Sequence, residues 1–422
     1  METVDRRKVA VVGGGVAGLT AAYVLSKRYE VVLYEADGRL GGHANTHDLP
    51  APGGGTVAVD SGFIVHNERT YPLLLRLLRE LGVNTQDSEM SMSVRCDGCG
   101  LQYAGARGPR GLFTGRAALR GRYLRLLAEV PVFHRGARRL LAEGDDDRYT
   151  LGQFLRDGGF SPYFVSHFVL PLVSAVWSCP APTALEYPAV YLFRFLAHHG
   201  LLSVTGSPQW KTVTGGSAEY VTRIAKHIGS TRTASPVTVV RRLAGGVLVT
   251  TGDGATEPYD AVVVATHADQ ALRLLADPTE DERRVLGAFR SSRNPTVLHT
   301  DTRLLPTKAA ARASWNYHLP TCGTPVGGAQ VSYDMNRLQQ LPGSPHYVVT
   351  LNAGERIDPG RVLARMVYEH PLYTPESVAA QRELPRLNTS VTAYAGAWQG
   401  WGFHEDGCRS GVAAAAALGV EW

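Results

Sequence analysis

Short β-branched runs and longer amphipathic stretches alternate along the chain, and their periods predict its elements. Lys8–Val12 reads as a strand, Val16–Lys27 as a helix with Leu19, Ala22 and Val24 apolar, and Glu30–Tyr34 as a second strand. Residues 70–81, TYPLLLRLLREL, carry the period of an amphipathic helix. MSMSVR and LQYAG alternate like two strands about the turn RCDGCG. From 160 to 205 the chain is apolar and aromatic, and prolines at 162, 171, 180, 182 and 188 predict a series of short helices. Thr150 is placed to cap the helix before them. TGGSAEYVTRIAKHIG (214–229) opens another helix from a Gly-Gly turn, and SPVTVVRRL, GGVLVTTG and YDAVVVATHADQALRLL follow as strand-like pieces. PTVLHTD, ASWNYHL, GAQVSYDM and HYVVTLN make residues 290–370 strand-rich. SVTAYAGAW (390–398) reads as a last strand and Ser410–Leu418 as an alanine-rich helix. Strands and helices in this alternation predict an α/β class.

Between the first strand and helix lies Gly13-x-Gly15-x-x-Gly18, with Val16 and Ala17 inside it. Gly13 allows the tight turn, Gly15 lets the backbone meet a pyrophosphate, and Gly18 lets the helix press on the strand. The helix start adds free N–H groups and the positive end of its dipole. Glu35, followed by Ala36, ends the second strand 22 residues after Gly13. That carboxylate is placed to bind ribose hydroxyls and to repel a 2′-phosphate, so a dinucleotide other than NADP is expected.

A plain NAD domain would continue with another helix and strand, but here Gly41-Gly42 and the turn Asp60-Ser61-Gly62 intervene. GGGVAGL…YEADGRLGGH…VDSGF resembles the flavin-containing amine oxidase, protoporphyrinogen oxidase and phytoene desaturase superfamily, which binds FAD. The resemblance implies that Glu35 and Ala36 lie at the adenosine ribose. It also implies that Arg39, Gly41, Gly42 and His43, with Gly62, run along the pyrophosphate and ribityl chain toward the isoalloxazine ring. His43 stands where many relatives carry Arg. Val237 matches the position whose backbone meets the adenine, and Ala265 lies near the end of the returning strand. The implied architecture is a Rossmann-like FAD domain assembled from residues 1–69, 206–289 and 385–422. Residues 70–205 and 290–384 would form a substrate-binding domain of mixed sheet and helical insertion. Trp315 and Tyr317, with Trp398 from the last FAD-domain segment, are the candidate substrate-pocket aromatics, each equally plausible as core. Lys308 falls where amine oxidases keep a lysine near flavin N5, although LPTKAAAR reads as an exposed turn.

Composition narrows the setting. The 422 residues suffice for about two to three domains. A net charge of +5, from 43 basic and 38 acidic residues, does not indicate nucleic acid. Nine arginines between Arg107 and Arg139 face the single acid Glu129. They read as a basic face for an anionic membrane surface or an acidic carrier protein, or as an arginine-coated solvent face. Cysteines at 96, 99, 179, 322 and 408 suggest no disulfide framework, which predicts a reducing, cytoplasmic setting. Cys96 and Cys99 have zinc-ribbon spacing without a second CxxC, so a hairpin with incidental cysteines is the better reading. His167, His198 and His199 lack metal-ligand spacing, and no metal is expected. Arg6-Arg7 before an apolar run imitates an export signal, against which the three glycines from Gly13 argue.

GWGFHEDGCRSG (400–411) sets His404, Glu405 and Asp406 side by side. With GAWQ before it, and with SWNY and EHPLYTPES, it resembles a narrower bacterial group of predicted FAD-binding proteins. These are often encoded beside cyclopropane-fatty-acid-synthase-like methyltransferases. In the superfamily this segment meets the flavin ring, where a helix N-terminus stabilises the negative charge of reduced flavin. His404, Glu405 and Asp406 are therefore expected as cofactor ligands, with Asp406 also capping the helix. An acid/base pair is the alternative, and covalent attachment through Cys408 a lesser one, so FAD is expected to be non-covalent.

The implied function is an FAD-dependent desaturase or dehydrogenase. It would take hydride from a C–H bond of a hydrophobic, lipid- or polyketide-like substrate onto flavin N5. A peroxide-producing amine oxidase, a redox-neutral double-bond isomerase and a non-catalytic flavin-binding partner of a methyltransferase are the other readings. No catalytic base stands out.

Overall fold

β1 (Lys8–Val12) buries Val9, Ala10, Val11 and Val12, as a β-branched run at the centre of a parallel sheet must. The computed structural model describes residues 7–51, 53–144, 146–203, 206–323 and 327–422, so Arg6 of the Arg6-Arg7 pair lies outside the described residues. β1 is joined by β2 (Glu30–Tyr34), β3 (Ser230–Arg232), β4 (Ala261–Val264) and β5 (Thr392–Tyr394) in a parallel sheet of order β3-β2-β1-β4-β5. Three segments distant in sequence thus build one sheet.

One face of this sheet carries two helices, Val16–Ser26 and His404–Ala417, that cross closely. A Cβ on Gly411 would lie 2.4 Å from the Ala17 carbonyl, and one on Gly407 2.5 Å from Val16 Cγ1. The other face packs against the antiparallel ribbon Val237–Leu243, Gly246–Thr251 and Thr256–Tyr259.

A second sheet has seven strands, in the order Val362–Leu372, Arg290–His299, Val348–Leu351, Val331–Asp334, Trp315–Leu319, Met92–Cys96 and Gln102–Ala104. The hairpin around RCDGCG is therefore its edge, with Met92–Cys96 parallel to Trp315–Leu319. Helices between residues 108 and 198 pack on this sheet through an aromatic core that includes Tyr317, Phe133, Phe164 and Trp177. A small sheet of Val65–Asn67, Trp210–Val213 and Thr85–Ser88 crosses the expected boundary at residues 69 and 70.

Two local expectations shift. Pro171 does not start a separate helix after a break. It follows a π-helical stretch, Val165–Val169, where the regular hydrogen-bond ladder is already altered, so its missing N–H interrupts little. The last helix begins at His404 and not at Ser410, because Asp406 accepts from the Phe403 N–H at 3.0 Å and closes the first turn. Thr150 caps Leu151–Asp157 reciprocally with Gln153. Among the described residues no helix is long and apolar enough to cross a membrane.

Candidate cofactor site

The three glycines after β1 are present for different reasons. Gly13 has φ +108°, and a Cβ there would meet the Ala265 carbonyl at 2.7 Å. A Cβ on Gly18 would lie 1.9 Å from the Gly13 carbonyl and 3.1 Å from the Ala265 side chain, so helix and sheet touch through backbone alone. Gly15 differs: its φ is −73° and a Cβ there would meet nothing within 4 Å. Neither backbone conformation nor any neighbour in the chain demands glycine at this point. Gly15 also N-caps Val16–Ser26 without a side-chain acceptor. Open space over an uncapped helix start, bounded by Val16, Ala17 and Gly18, is the chemistry of a phosphate site.

Glu35 sits at the edge of that turn. Its carboxylate accepts from the Gly14 N–H at 2.7 Å and the Asp37 N–H at 2.8 Å, which fixes its direction beside Ala36. The Ser235 N–H donates to the Glu35 carbonyl, and the ribbon starting at Val237 follows two residues later.

The second glycine turn lies against the first. The Gly41 N–H donates to the Gly14 carbonyl at 2.7 Å, and a Cβ on Gly42 would be 3.2 Å from Gly15 Cα. Arg39 holds this turn together by donating to the carbonyls of Gly42 (2.7 Å), Ala44 (3.2 Å) and Leu40 (3.3 Å). A Cβ on Gly62 would collide with the His43 carbonyl at 2.1 Å.

His43 Nε2 is buried and has no hydrogen-bond partner within the protein. Its ring stacks on Tyr368 at 4.9 Å, meets His370 at 5.3 Å, and lies 6.5 Å from His267. Burial, reinforced by the neighbouring histidines, pushes His43 well below the usual imidazole range. Burial likewise takes His370 down to about 4 and lowers His267. The cluster is therefore neutral at physiological pH. Sequence reasoning missed His267 and His370, which reach His43 only through tertiary folding.

His404, Glu405 and Asp406 do not converge. His404 stacks on Phe63 at 3.4 Å, and its Nε2 is 2.7 Å from the Tyr220 hydroxyl. Glu405 turns to another helix, Pro72–Glu80, and accepts from the N–H groups of Leu73 (3.1 Å) and Leu74 (3.0 Å). Asp406 takes the Phe403 N–H and an ion pair with Arg409 at 2.6 Å. Burial raises both carboxyls and lowers His404 well below its ordinary range. An acid/base pair has no geometry here. Cys408 is buried between the two crossing helices beside Thr20, and burial pushes its thiol up to about 12. It is poorly suited to covalent attachment.

The three pocket aromatics separate as well. Trp315 and Tyr317 share the strand Trp315–Leu319, and the indole N–H of Trp315 is buried without a partner. Trp398 lies elsewhere: it donates to the Thr266 carbonyl at 3.0 Å and packs on Phe289 in the core behind the parallel sheet. Ala265 holds the turn from below, its N–H donating to the Val12 carbonyl. Lys308 is exposed. The aromatic wall that does face the C-terminal glycine loop comes from the helical unit. Tyr191 donates to the Gly400 carbonyl at 2.7 Å and Trp177 to the Trp401 carbonyl at 3.0 Å. Tyr373 packs on Tyr191, and its hydroxyl has no partner, nor has the indole N–H of Trp401.

The profile of the family described as flavin containing amine oxidoreductase matches residues 16–364. Carotenoid phi-ring synthase of Streptomyces griseus is 30% identical over 302 residues, 66% of this chain and 56% of that protein. The chain thus spans about half the length of this curated relative. Cyclohexylamine oxidase from Brevibacterium oxydans IH-35A is similar in fold, with a TM-score of 0.69 at 16% identity and 98% of each chain covered. A fatty acid isomerase of P. acnes that produces CLA is equally similar, at 0.69 and 15% identity, covering 96% of this chain and 97% of that one.

Proposed function

This chain belongs to the flavin-containing amine oxidoreductase family, and on that premise we propose that it is an FAD-dependent oxidoreductase of desaturase or dehydrogenase type acting on a hydrophobic, lipid- or polyketide-like substrate. The observation that carries the cofactor assignment is Gly15, a glycine that nothing in the chain requires, above an uncapped helix start. FAD bound there supplies a hydride acceptor for a substrate C–H bond.

The chain's own residues bind and orient. The helix start at Val16–Gly18 would hold the pyrophosphate, and the Glu35 carboxylate would accept from ribose hydroxyls. The unpaired Nε2 of neutral His43 would take a hydrogen bond from the cofactor, or give one, without adding charge. The start of His404–Ala417 would place its positive dipole end against charge gathering on the reduced ring. Trp177, Tyr191, Phe195, Tyr373 and Trp401 would exclude water around an apolar substrate.

Support for a lipid-like substrate comes from that aromatic wall and from relatives named for a carotenoid synthase and a fatty acid isomerase. The helix Gly121–Glu143 leaves Leu124 and Val132 exposed among its arginines. That face favours presentation of substrate from an anionic surface, a lipid headgroup layer or an acidic carrier protein.

Anaerobic mixing of the flavin-loaded protein with fatty acyl, isoprenoid and simple amine compounds tests the reading. Bleaching of the visible flavin band by an acyl or isoprenoid compound, with a new double bond in the product, is expected. Bleaching by amines alone, with peroxide released in air, would establish the amine oxidase reading instead. A shifted double bond without acceptor consumption would establish the isomerase, and no turnover without a methyltransferase the accessory subunit.

A further inference from the structure

Cys96, Cys99, His167 and Cys322 come from three distant segments, yet their ligand atoms all lie within 4.8 Å of one another. None is in a disulfide. The first two flank the turn of the hairpin Met92–Cys96 and Gln102–Ala104. Gly100 closes that turn with φ +71°, its N–H donating to the Cys96 carbonyl at 2.9 Å. A Cβ on Gly98 would lie 2.9 Å from the Cys322 nitrogen and 3.0 Å from Thr321 Cα. Only glycine lets the turn abut the loop that carries the third cysteine.

The fourth group is as specifically held. His167 is fully buried in the π-helical stretch Val165–Val169, a distortion common at functional positions. Its Nδ1 is 3.2 Å from the Tyr163 carbonyl and 2.7 Å from the Ser166 hydroxyl. A proton on Nδ1, donated to that carbonyl, leaves the Nε2 lone pair directed at the sulfurs. Nε2 lies 3.7 Å from Cys99 Sγ, and Cys96 Sγ lies 3.8 Å from Cys322 Sγ. Tetrahedral zinc, with bonds of about 2.3 Å to sulfur and 2.0–2.1 Å to nitrogen, sets sulfur ligands about 3.8 Å apart and sulfur–nitrogen pairs about 3.6 Å apart.

We propose that Cys96, Cys99, His167 and Cys322 form a structural Cys3His site for one Zn2+ ion. Three thiolates and an imidazole in a tetrahedral arrangement select zinc over hard cations, and four protein ligands leave no position open for chemistry. The ion ties the sheet edge, the helical unit and the loop beyond Trp315–Leu319 together. Cys96 pairs with Leu319 and Met92 with Trp315, so the site closes the end of that strand opposite the candidate pocket residue. Cys322 is half-buried and lines a surface cleft of about 540 Å³ with Arg122, Tyr163 and Ser166, which gives the ion a path in. The isolated CxxC looked incidental in the sequence because its partners stand 68 residues from Cys99 and 226 from Cys96.

The test uses the whole protein, purified reduced and without chelator. Metal analysis of the wild type should give about one zinc per chain that survives desalting. Exchange for Co2+ should produce the intense visible and near-ultraviolet bands of tetrahedral cobalt thiolate. Cys322→Ser and His167→Ala should lower zinc content about tenfold or more, whereas Cys179→Ala, outside the cluster, should not. If the cluster variants fail to fold, the wild-type zinc content and cobalt spectrum still decide. Reduced wild type with little zinc and no cobalt bands, bound iron and sulfide in its place, or a Cys96–Cys322 disulfide in the reduced preparation would each overturn the assignment.

Discussion

Gly15→Ala should fold and melt only slightly below the parent protein yet lose FAD affinity about tenfold or more, a change of about 1.4 kcal/mol or more. The new methyl enters space where it meets nothing within 4 Å, and φ of −73° suits alanine. Alanine in place of glycine at a helix N-cap costs about 0.5–1 kcal/mol. The methyl does occupy the surface on which a pyrophosphate must lie against the backbone. Gly18→Ala should behave differently. Its methyl would stand 1.9 Å from the Gly13 carbonyl, so helix Val16–Ser26 must leave the sheet, at about 1–3 kcal/mol in overpacking. That variant should lose thermal stability and flavin together. Gly245→Ala, in an open turn of the ribbon, is the control and should change neither. Flavin-to-protein absorbance ratios and apoprotein melting curves read both effects. A Gly15→Ala protein that retains FAD at parental affinity would remove the reason given for that glycine.

Glu405→Ala should cost about 2–4 kcal/mol of stability while leaving the flavin spectrum of the folded fraction intact. The carboxylate satisfies two N–H groups at the start of Pro72–Glu80, a helix whose own N-cap, Tyr71, offers no side-chain acceptor. Removing it strands two donors at the positive end of a helix dipole, each worth about 1–3 kcal/mol when buried and unmet. Glu405→Gln keeps one good acceptor oxygen and should lose about half as much. Denaturant titration measures the difference. A general acid would give the opposite pattern, with Glu405→Gln stable and inactive.

Lys8–Tyr34 and residues 70–81 could be placed because hydrophobic period and glycine chemistry are local properties. The last helix starts six residues before the alanine-rich run that marks it in the sequence, since Asp406 capping the Phe403 N–H turns HEDG from a loop into a first turn. Glu405 resembled a cofactor ligand because nothing in one dimension shows that the N-terminus of Pro72–Glu80 lies beside it. Trp398 and Trp315 read alike in the sequence, but the fold puts them in different cores. His267, His370 and the Cys322–His167 pair were invisible for the same reason: each acquires meaning only from a neighbour brought by the fold.

The central claim is that the two apposed glycine turns hold FAD without a covalent bond. It is tested most directly by heating the purified protein, pelleting the polypeptide and identifying the released chromophore by mass and absorbance. About one FAD per chain in the supernatant, with a colourless pellet, is the predicted result. A colourless preparation that takes up no added FAD, or a yellow pellet that keeps its flavin, would contradict it.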